Sequence, residues 1–137
     1  MQQTLAIIKP DAVKKNVIGD VIDRIETDGL TIKSLKMIQL REEQAEEFYA
    51  EHRGTDFFDG LVDFMTSAPV VPAVVEGEDA ITRLRTLMGE TDPSEAAPGT
   101  IRAELADGLP NNIIHGSDSP ESAERELSFF FSQAERL

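Results

Sequence analysis

The chain has 137 residues, of which 40% are hydrophobic, so it can build one core but is too short for two domains of ordinary size. It has no cysteine and two histidines, which excludes disulfides, thiolate metal sites and an all-histidine metal site. Its 26 acidic and 13 basic residues give a net charge of −13, which disfavours nucleic acid or anionic membranes as partners and is consistent with adaptation to salt.

The first half of the chain predicts a strand, a helix, a strand and two further helices. A short apolar run at residues 5–8 is typical of a strand that is buried on both faces. The first helix is expected between Asn16, a candidate N-cap, and Gly29, which is placed to end it. Alternation of apolar and polar residues over 30–40 predicts the second strand, and helices follow at 41–52 and 56–65.

The second half predicts a strand, two helices and a last strand, at residues 70–75, 78–88, 119–127 and 129–131. The strand at 70–75 is expected to be central, although Pro72 mildly disfavours this position. Gly89 ends the next helix, and Ser119 and Pro120 suit the N-cap and first position of the last one. Without insertions the order is β-α-β-β-α-β, which predicts an α+β, ferredoxin-like sandwich: an antiparallel four-stranded sheet with helices packed on one face.

The chain shows no targeting or membrane segment. No basic region precedes the apolar run at residues 5–8, and that run is too short for the apolar part of a signal peptide. No stretch approaches the ~20 apolar residues of a membrane span. We therefore expect one cytoplasmic domain over residues 1–137, with no membrane partner.

Three cationic residues are candidates for contact with an anion. Arg85 occupies a position at which the apolar stripe of its helix should continue, so it is expected on the core-facing side, where it either extends to solvent or meets an anion. Arg102 follows Thr100, a candidate helix cap, and a cation in a first helical turn opposes the helix dipole unless an anion binds there. Lys9 ends the first strand, where a lysine is usually a surface charge.

His115 lies in a polar corner, between an apolar pair and the residues Gly116-Ser117-Asp118. Taken alone, a loop histidine is usually idle, and His52 has only that interpretation. The adjacent pair Phe57-Phe58 is more often part of a core than a ligand platform. One of two adjacent aromatic residues on a helix must nevertheless point away from the core and could stack on a base.

At this point the sequence resembles a known family, the nucleoside diphosphate kinases. Residues 112–118, Asn-Ile-Ile-His-Gly-Ser-Asp, match the family's active-site signature N-x-x-H-G-S-D. The similarity runs in the family's order from about residue 4 to residue 131. The further matching segments include Lys9-Pro10-Asp11-Ala12-Val13, Phe48-Tyr49-Ala50-Glu51-His52, Thr91-Asp92-Pro93, and Pro98-Gly99-Thr100-Ile101-Arg102.

The resemblance implies a ping-pong reaction in which a γ-phosphoryl group passes from a nucleoside triphosphate to His115 and then to a nucleoside diphosphate. Glu126 would bond the imidazole and fix its orientation, Ser117 would be a polar neighbour, and Tyr49 would lie beside the ring. Phosphoryl transfer depends mainly on positioning and charge neutralisation, which would account for the cationic residues.

The resemblance also implies a nucleotide site. Lys9, Arg85 and Arg102 would contact the phosphates or the ribose hydroxyls, with Thr91 as a further donor. Asn112 and Lys9 would hold the ribose 3′-OH, and Phe57 would stack on the base, so that base and sugar specificity would be broad. Mg²⁺ would arrive on the phosphates, with Asp118 the best placed protein group to meet it through water.

The family implies a homo-oligomer that assembles from dimers into a tetramer or hexamer, with nucleoside di- and triphosphates as the other partners. One alternative is a nucleotide-binding regulatory or scaffold protein that has kept the fold without catalysis, against which the complete set of matched residues argues. A nucleic-acid-binding role is disfavoured by the charge of −13 and the lack of a basic stripe.

Overall fold

The computed structural model describes all of residues 1–137. Its centre is one antiparallel sheet with the strand order β2-β3-β1-β4, so the predicted four-stranded antiparallel sheet is confirmed. The strands are β1 (Gln2–Ile8), β2 (Thr31–Leu35), β3 (Val71–Gly77) and β4 (Ile114–Gly116). β3 is a central strand despite Pro72, whose carbonyl oxygen still accepts a hydrogen bond of 3.2 Å from Lys36 N–H.

Seven α-helices connect and cover the strands. They are α1 (Pro10–Lys14), α2 (Ile18–Thr27), α3 (Glu42–Phe48), α4 (Phe58–Met65), α5 (Ala80–Met88), α6 (Ile101–Leu105) and α7 (Pro120–Phe130). Short 3₁₀ turns lie at Ala50–His52, Pro93–Glu95 and Gln133–Glu135. The predicted helix over 41–52 is thus α3 followed by a separate turn, and the strand predicted over 30–40 is limited to β2 and an isolated bridge between Ile38 and Val70.

Helices cover both faces of the sheet, so the expectation of helices on one face is wrong. Side chains alternate along β1: Ala6 and Ile8 belong to a core cluster with α2 and α5, while Leu5 and Ile7 belong to a second cluster with α3, α4 and α7. A strand whose residues are apolar on both sides needs cover on both sides, because either face would otherwise expose apolar surface to water.

The last strand is not the one that was predicted. Residues 129–131 read as a strand because they are three consecutive phenylalanines, but α7 continues through Phe130. Ala123, Leu127 and Phe130 recur at helical spacing on the buried side of α7, and this packing decides the conformation. The fourth strand is β4, three residues long, with His115 at its centre.

The helix ends agree with the predicted capping residues except at Asn16. The N-cap of α2 is Val17, without a side-chain hydrogen bond, and Asn16 has a φ of 60° in the turn before it. Thr100 and Ser119 do cap α6 and α7, accepting hydrogen bonds of 3.3 Å and 3.1 Å from backbone N–H groups. Gly29 follows α2 with a φ of 93°, which a residue with a side chain rarely adopts.

None of the helices combines the length and the apolar character that a bilayer crossing requires.

Candidate active site

A strained turn leads the chain into β4. Ile113 is fully buried and has a φ of 74°, an unusual value for a β-branched residue. Ile114 N–H donates to Asn112 O at 2.9 Å, which closes a γ-turn of the rare, positive-φ kind around Ile113. Such a conformation costs roughly 1–3 kcal/mol and persists only where its surroundings hold it. The turn directs β4 to pair with β1, with His115 opposite Ile7.

His115 forms a hydrogen bond with a buried carboxylate. Its Nε2 lies 2.8 Å from Glu126 Oε1, which also accepts a hydrogen bond of 2.8 Å from Ser117 Oγ. Burial alone would raise the pKa of Glu126, but the hydrogen bonds from His115 and Ser117 oppose it, and the pKa is lowered. An ionised carboxylate only accepts hydrogen bonds, so we assign the imidazole proton to Nε2. Nδ1 then carries a lone pair.

Lys9 is buried at the end of β1 and is paired with Asn112. Its Nζ donates to Asn112 Oδ1 at 2.6 Å, and Asn112 Nδ2 donates to Thr91 O at 2.9 Å. Burial, and then the charge of Arg102, lower the pKa of Lys9 to about 8, although the charge of Asp11 opposes the shift. The lysine is therefore a poorly hydrated ammonium group that gains from an anionic ligand.

Arg102 is only 5% exposed and binds three carbonyl oxygens. Its guanidinium donates to Asn112 O at 3.2 Å, Gly89 O at 3.1 Å and Ile114 O at 2.6 Å. These dipoles account for a cation in the first turn of α6 without requiring a bound anion. Burial, and then the charge of Arg85, lower the pKa of Arg102 to about 10. The side chain is a cross-link that joins both sides of the γ-turn to the end of α5.

A cleft of about 620 Å³ lies beside this cross-link, and Arg85, Thr91 and Asp118 are among the residues that line it. The expectation that Arg85 faces the core is wrong: the side chain is exposed, because Ile81, Leu84 and Met88 complete the buried stripe of α5. Arg85 Nη1 instead donates to the carbonyl oxygen of Gly116 at 3.1 Å. The cleft therefore carries a cation directly next to the strand that bears His115.

Tyr49 and Phe57 are the aromatic candidates. Tyr49 is buried, and burial together with the charge of Glu126 raises its pKa above the ordinary range. Phe57 is 55% exposed, whereas its neighbour Phe58 is buried in the core. The His52 ring connects the two candidates, with centroid distances of 6.3 Å to Tyr49 and 5.2 Å to Phe57. Phe57 thus offers a free aromatic face to solvent.

The side chains do not form a site that could hold a metal ion alone. No group of three or more histidine, aspartate or glutamate residues is arranged for this. Asp118 is exposed at the cleft, and the hydrogen bond from Ser122 and the charge of Arg85 lower its pKa although burial opposes them. One ionised carboxylate in a cleft that also holds Arg85 could supply a single ligand to a cation that keeps most of its waters.

The structure brings most of the predicted residues together in two linked groups. Lys9, Asn112 and Arg102 form one group with the Thr91 backbone, while His115, Ser117 and Glu126 form the other. Asp11 is not among the predicted site residues. Its carboxylate is buried and accepts a hydrogen bond of 3.0 Å from Ile113 N–H. The sequence signal that could have identified Asp11 is its position directly after Lys9 and Pro10, in a segment that matches the family.

A histidine with a free Nδ1, next to a cleft with cationic side chains on a ferredoxin-like sheet, is typical of phosphotransferases that carry a phosphoryl group on histidine. Comparisons with known proteins identify the family. The family model described as nucleoside diphosphate kinase matches residues 2–136. The chain belongs to the nucleoside diphosphate kinase family.

Relatives and solved structures agree with this assignment. A nucleoside diphosphate kinase of Nitratiruptor sp. is 57% identical over 137 residues, which is 100% of this chain and 100% of that one. One from Rubrobacter xylanophilus is 58% identical over 131 residues, which is 96% of this chain and 98% of that one. The structure of the Aquifex aeolicus enzyme has a TM-score of 0.96 at 50% identity, over 99% of both chains. A halophilic nucleoside diphosphate kinase from Halobacterium salinarum, in complex with CDP, has a TM-score of 0.96 at 46% identity, over 99% of this chain and 91% of that one.

Proposed function

We propose that the protein transfers the γ-phosphoryl group of a nucleoside triphosphate to a nucleoside diphosphate through a phosphohistidine at His115. The observation that carries the proposal is the 2.8 Å contact between His115 Nε2 and Glu126 Oε1, which leaves Nδ1 as the nucleophile. The Nδ1 lone pair attacks the γ-phosphorus, and the bond from that phosphorus to the β–γ bridging oxygen breaks, so the diphosphate leaves with the bond's electrons. A terminal oxygen of the second diphosphate then attacks the phosphohistidine in the reverse step.

Glu126 stabilises the positive charge that develops on the imidazole as Nδ1 forms its bond to phosphorus. Ser117 Oγ donates a hydrogen bond of 2.8 Å to Glu126 Oε1, the oxygen that also contacts His115 Nε2. This bond fixes the carboxylate that orients the imidazole. We propose that Tyr49 lies near the imidazole, because the ring of Phe48 contacts both the Tyr49 ring and the His115 ring, at centroid distances of 4.9 Å and 5.8 Å. A carboxylate that is held in this way needs little reorganisation during transfer.

Charge neutralisation of the phosphates falls to Lys9, Arg85 and Arg102, with the Thr91 hydroxyl as a further donor. Arg85 and Thr91 line the cleft, which supports this role. Arg102 uses three N–H groups on carbonyl oxygens, so its remaining donors are the ones that can serve a nucleotide. Lys9, poorly hydrated in its buried position, contributes a strong local field.

The nucleoside is held by few base-specific contacts. Asn112 and Lys9, whose Oδ1 and Nζ atoms are 2.6 Å apart, would bind the ribose 3′-OH, and Phe57 would stack on the base. Stacking alone reads no pattern of donors and acceptors, so we propose that purine and pyrimidine nucleotides are both accepted, as ribo- and deoxyribonucleotides.

Mg²⁺ fits this site as a companion of the nucleotide. The cation supplies neutralisation of charge on the phosphate oxygens when it is bound. Asp118 would meet it through water, and the lowered pKa of this carboxyl keeps it ionised at neutral pH.

The proposal is tested with radiolabelled ATP and Mg²⁺. The wild-type protein is expected to retain an acid-labile, base-stable phosphate and to convert GDP to GTP. His115→Ala should lose both, whereas His52→Ala, the change at the other histidine of the chain, should lose neither. A wild-type protein that binds nucleotide but remains unlabelled would instead support the catalytically silent, regulatory alternative.

We further propose that residues 1–137 act as one domain in the cytoplasm and that the chain forms a homo-oligomer built from dimers, as a tetramer or hexamer. The net charge of −13 supports an acidic, salt-adapted surface without specific affinity for nucleic acid. Light scattering across a salt series would measure the number of subunits.

A further inference from the structure

Asp11 is a buried carboxylate that the proposed reaction does not use directly. It is 6% exposed, and its Oδ2 accepts a hydrogen bond of 3.0 Å from Ile113 N–H. Its other oxygen, Oδ1, is buried without a hydrogen-bond partner. Since buried carboxylates are costly unless they are compensated, the hydrogen bond from Ile113 N–H and the nearby charge of Lys9 together account for a carboxylate at this position.

The two ends of the same short segment hold both backbone polar groups of Ile113. Asp11 accepts from Ile113 N–H, and Lys9 N–H donates to Ile113 O at 2.8 Å. Ile113 is the central residue of the γ-turn and has a φ of 74°. The strained turn is therefore clamped by the junction between β1 and α1.

The clamp lies between the two groups of site residues. Asn112, the first residue of the turn, binds Lys9 Nζ, and His115 follows two residues after Ile113. Asn112 is also held by Arg102 and by the Thr91 carbonyl, so it has restraints that do not depend on Asp11. His115 follows on the strand that leaves the turn, where the pairing of β4 with β1 and the hydrogen bond from Arg102 to Ile114 O also restrain the backbone.

A purely helical role does not explain Asp11. An acidic residue in a first turn is favourable near a helix N-terminus, but α1 has only five residues, and a solvated carboxylate would serve that purpose without being buried. The burial and the bond to Ile113, taken together, indicate a role in the turn.

We propose that Asp11 is a positioning residue that sets the place of His115 by holding Ile113 in the γ-turn. This role rests on the proposed function, because it acts on the phosphoryl-carrying histidine. Asp11 touches neither the nucleotide nor the reacting atoms; it acts through the backbone of Ile113.

The test compares Asp11→Ala, which removes the acceptor, with Asp11→Asn, whose side-chain oxygen can still accept the Ile113 N–H. Both variants lose the charge, so a difference between them reports the hydrogen bond. The rate of phosphohistidine formation at saturating ATP and the affinity for ADP are measured together with hydrogen exchange at the Ile113 amide. Ile25→Val serves as the control for general destabilisation, since Ile25 is buried in α2 and is not among the site residues.

Asp11→Ala is expected to slow phosphohistidine formation about tenfold or more, to change ADP affinity less than about threefold, and to accelerate exchange of the Ile113 amide. Asp11→Asn should stay within about threefold of the wild-type rate, with the amide still protected. Ile25→Val should lower the melting temperature without changing the rate.

Three results would overturn the role of Asp11: a rate for Asp11→Ala equal to that of the wild type, equal losses in Asp11→Ala and Asp11→Asn, or unchanged exchange of the Ile113 amide in Asp11→Ala. Failure of the proposed function is a different result, since it would appear as a wild-type protein that forms no phosphohistidine. In that case the amide exchange still decides whether Asp11 holds the turn.

Discussion

His115 Nε2 lies 2.8 Å from Glu126 Oε1, and this contact determines which imidazole nitrogen can react. The two residues come from β4 and α7, so the loop and helix cap at Ser119 set their relative position. A carboxylate at this distance fixes the tautomer and also balances positive charge on the ring.

Glu126→Gln should slow phosphohistidine formation roughly 10- to 100-fold, because a hydrogen bond to a charged group contributes about 1.5–3 kcal/mol. The amide keeps the shape of the side chain but loses the charge and can also donate to the ring nitrogen. Single-turnover labelling measures the rate. Glu121→Gln, an exposed change in the first turn of the same helix, should have the wild-type rate. Equal rates in all three proteins would contradict the role of Glu126.

The stability of the nucleotide-free protein should rise with pH between about 8 and 9.5. Burial lowers the pKa of Lys9 from 10.5 to about 8, so the unfolded chain binds more protons than the folded one in this range. The free energy of unfolding then increases with pH, by about 2 kcal/mol over this window. Urea denaturation at several pH values measures it. Lys9→Met should remove most of this slope, and a wild-type slope of zero or of opposite sign would refute the explanation.

Phe57→Ala should raise the KM for nucleotides about fivefold or more, since stacking on one aromatic ring contributes about 1–3 kcal/mol per base. Its melting temperature should be near that of the wild type, because the side chain is 55% exposed. Phe58→Ala is the matched comparison and should lower the free energy of unfolding by roughly 3–5 kcal/mol, since Phe58 is buried in the core. An unchanged KM in Phe57→Ala would exclude base stacking at this residue.

Gly116→Ala should destabilise the protein by roughly 1–3 kcal/mol. A Cβ at Gly116 would lie 2.7 Å from Met88 Sδ and 3.3 Å from Leu84 Cδ2, so these two buried side chains would have to shift. Gly60→Ala is the control, because nothing lies within 4 Å of its added Cβ and alanine favours the helix by up to about 1 kcal/mol. Thermal unfolding of both variants is the measurement. A melting temperature of Gly116→Ala equal to that of the wild type would show that the contact between β4 and α5 can accommodate the added methyl group.

The melting temperature should rise with NaCl, because salt screens the repulsion among the charges behind the net −13. Glu42→Lys combined with Glu47→Lys changes two exposed residues of α3 and brings the net charge from −13 to −9. This variant should depend less on salt than the wild type. A melting temperature that is independent of NaCl, or the same dependence in both proteins, would count against an electrostatic origin.

Several elements, including β1, α2, β3 and α5, could be predicted from the sequence because their signals are local. Short apolar runs located β1 and β3, apolar periodicity located α5, and Thr100 and Ser119 are capping residues in their usual positions. The family signature drew attention to the histidine of β4, which chain position alone would have left as an ordinary loop residue.

Other features depend on tertiary packing that no local pattern contains. Three consecutive phenylalanines favour a strand, but Phe130 fills a core position on α7, and the helix continues. The positive φ of Ile113 is the opposite of what a β-branched residue prefers, and long-range contacts with Lys9, Asp11 and Arg102 hold the turn in place. The hydrogen bonds of Arg102 to three carbonyl oxygens could not be predicted either. One acceptor, Gly89, precedes α6, and the other two, Asn112 and Ile114, belong to the turn that leads into β4.

The pairing of β1 with β4 constrains the order in which the protein can fold during its synthesis. Ile7 and His115 are neighbours across the sheet although they lie near opposite ends of the chain, so this ladder closes a very long loop. Contacts of such sequence separation form slowly and late. During synthesis Lys9 leaves the ribosome long before Glu126, and the histidine has no carboxylate behind it until α7 has emerged. Nucleotide binding at the complete site therefore cannot guide the early stages of folding. One edge of β1 also remains unpaired until β4 has been synthesised.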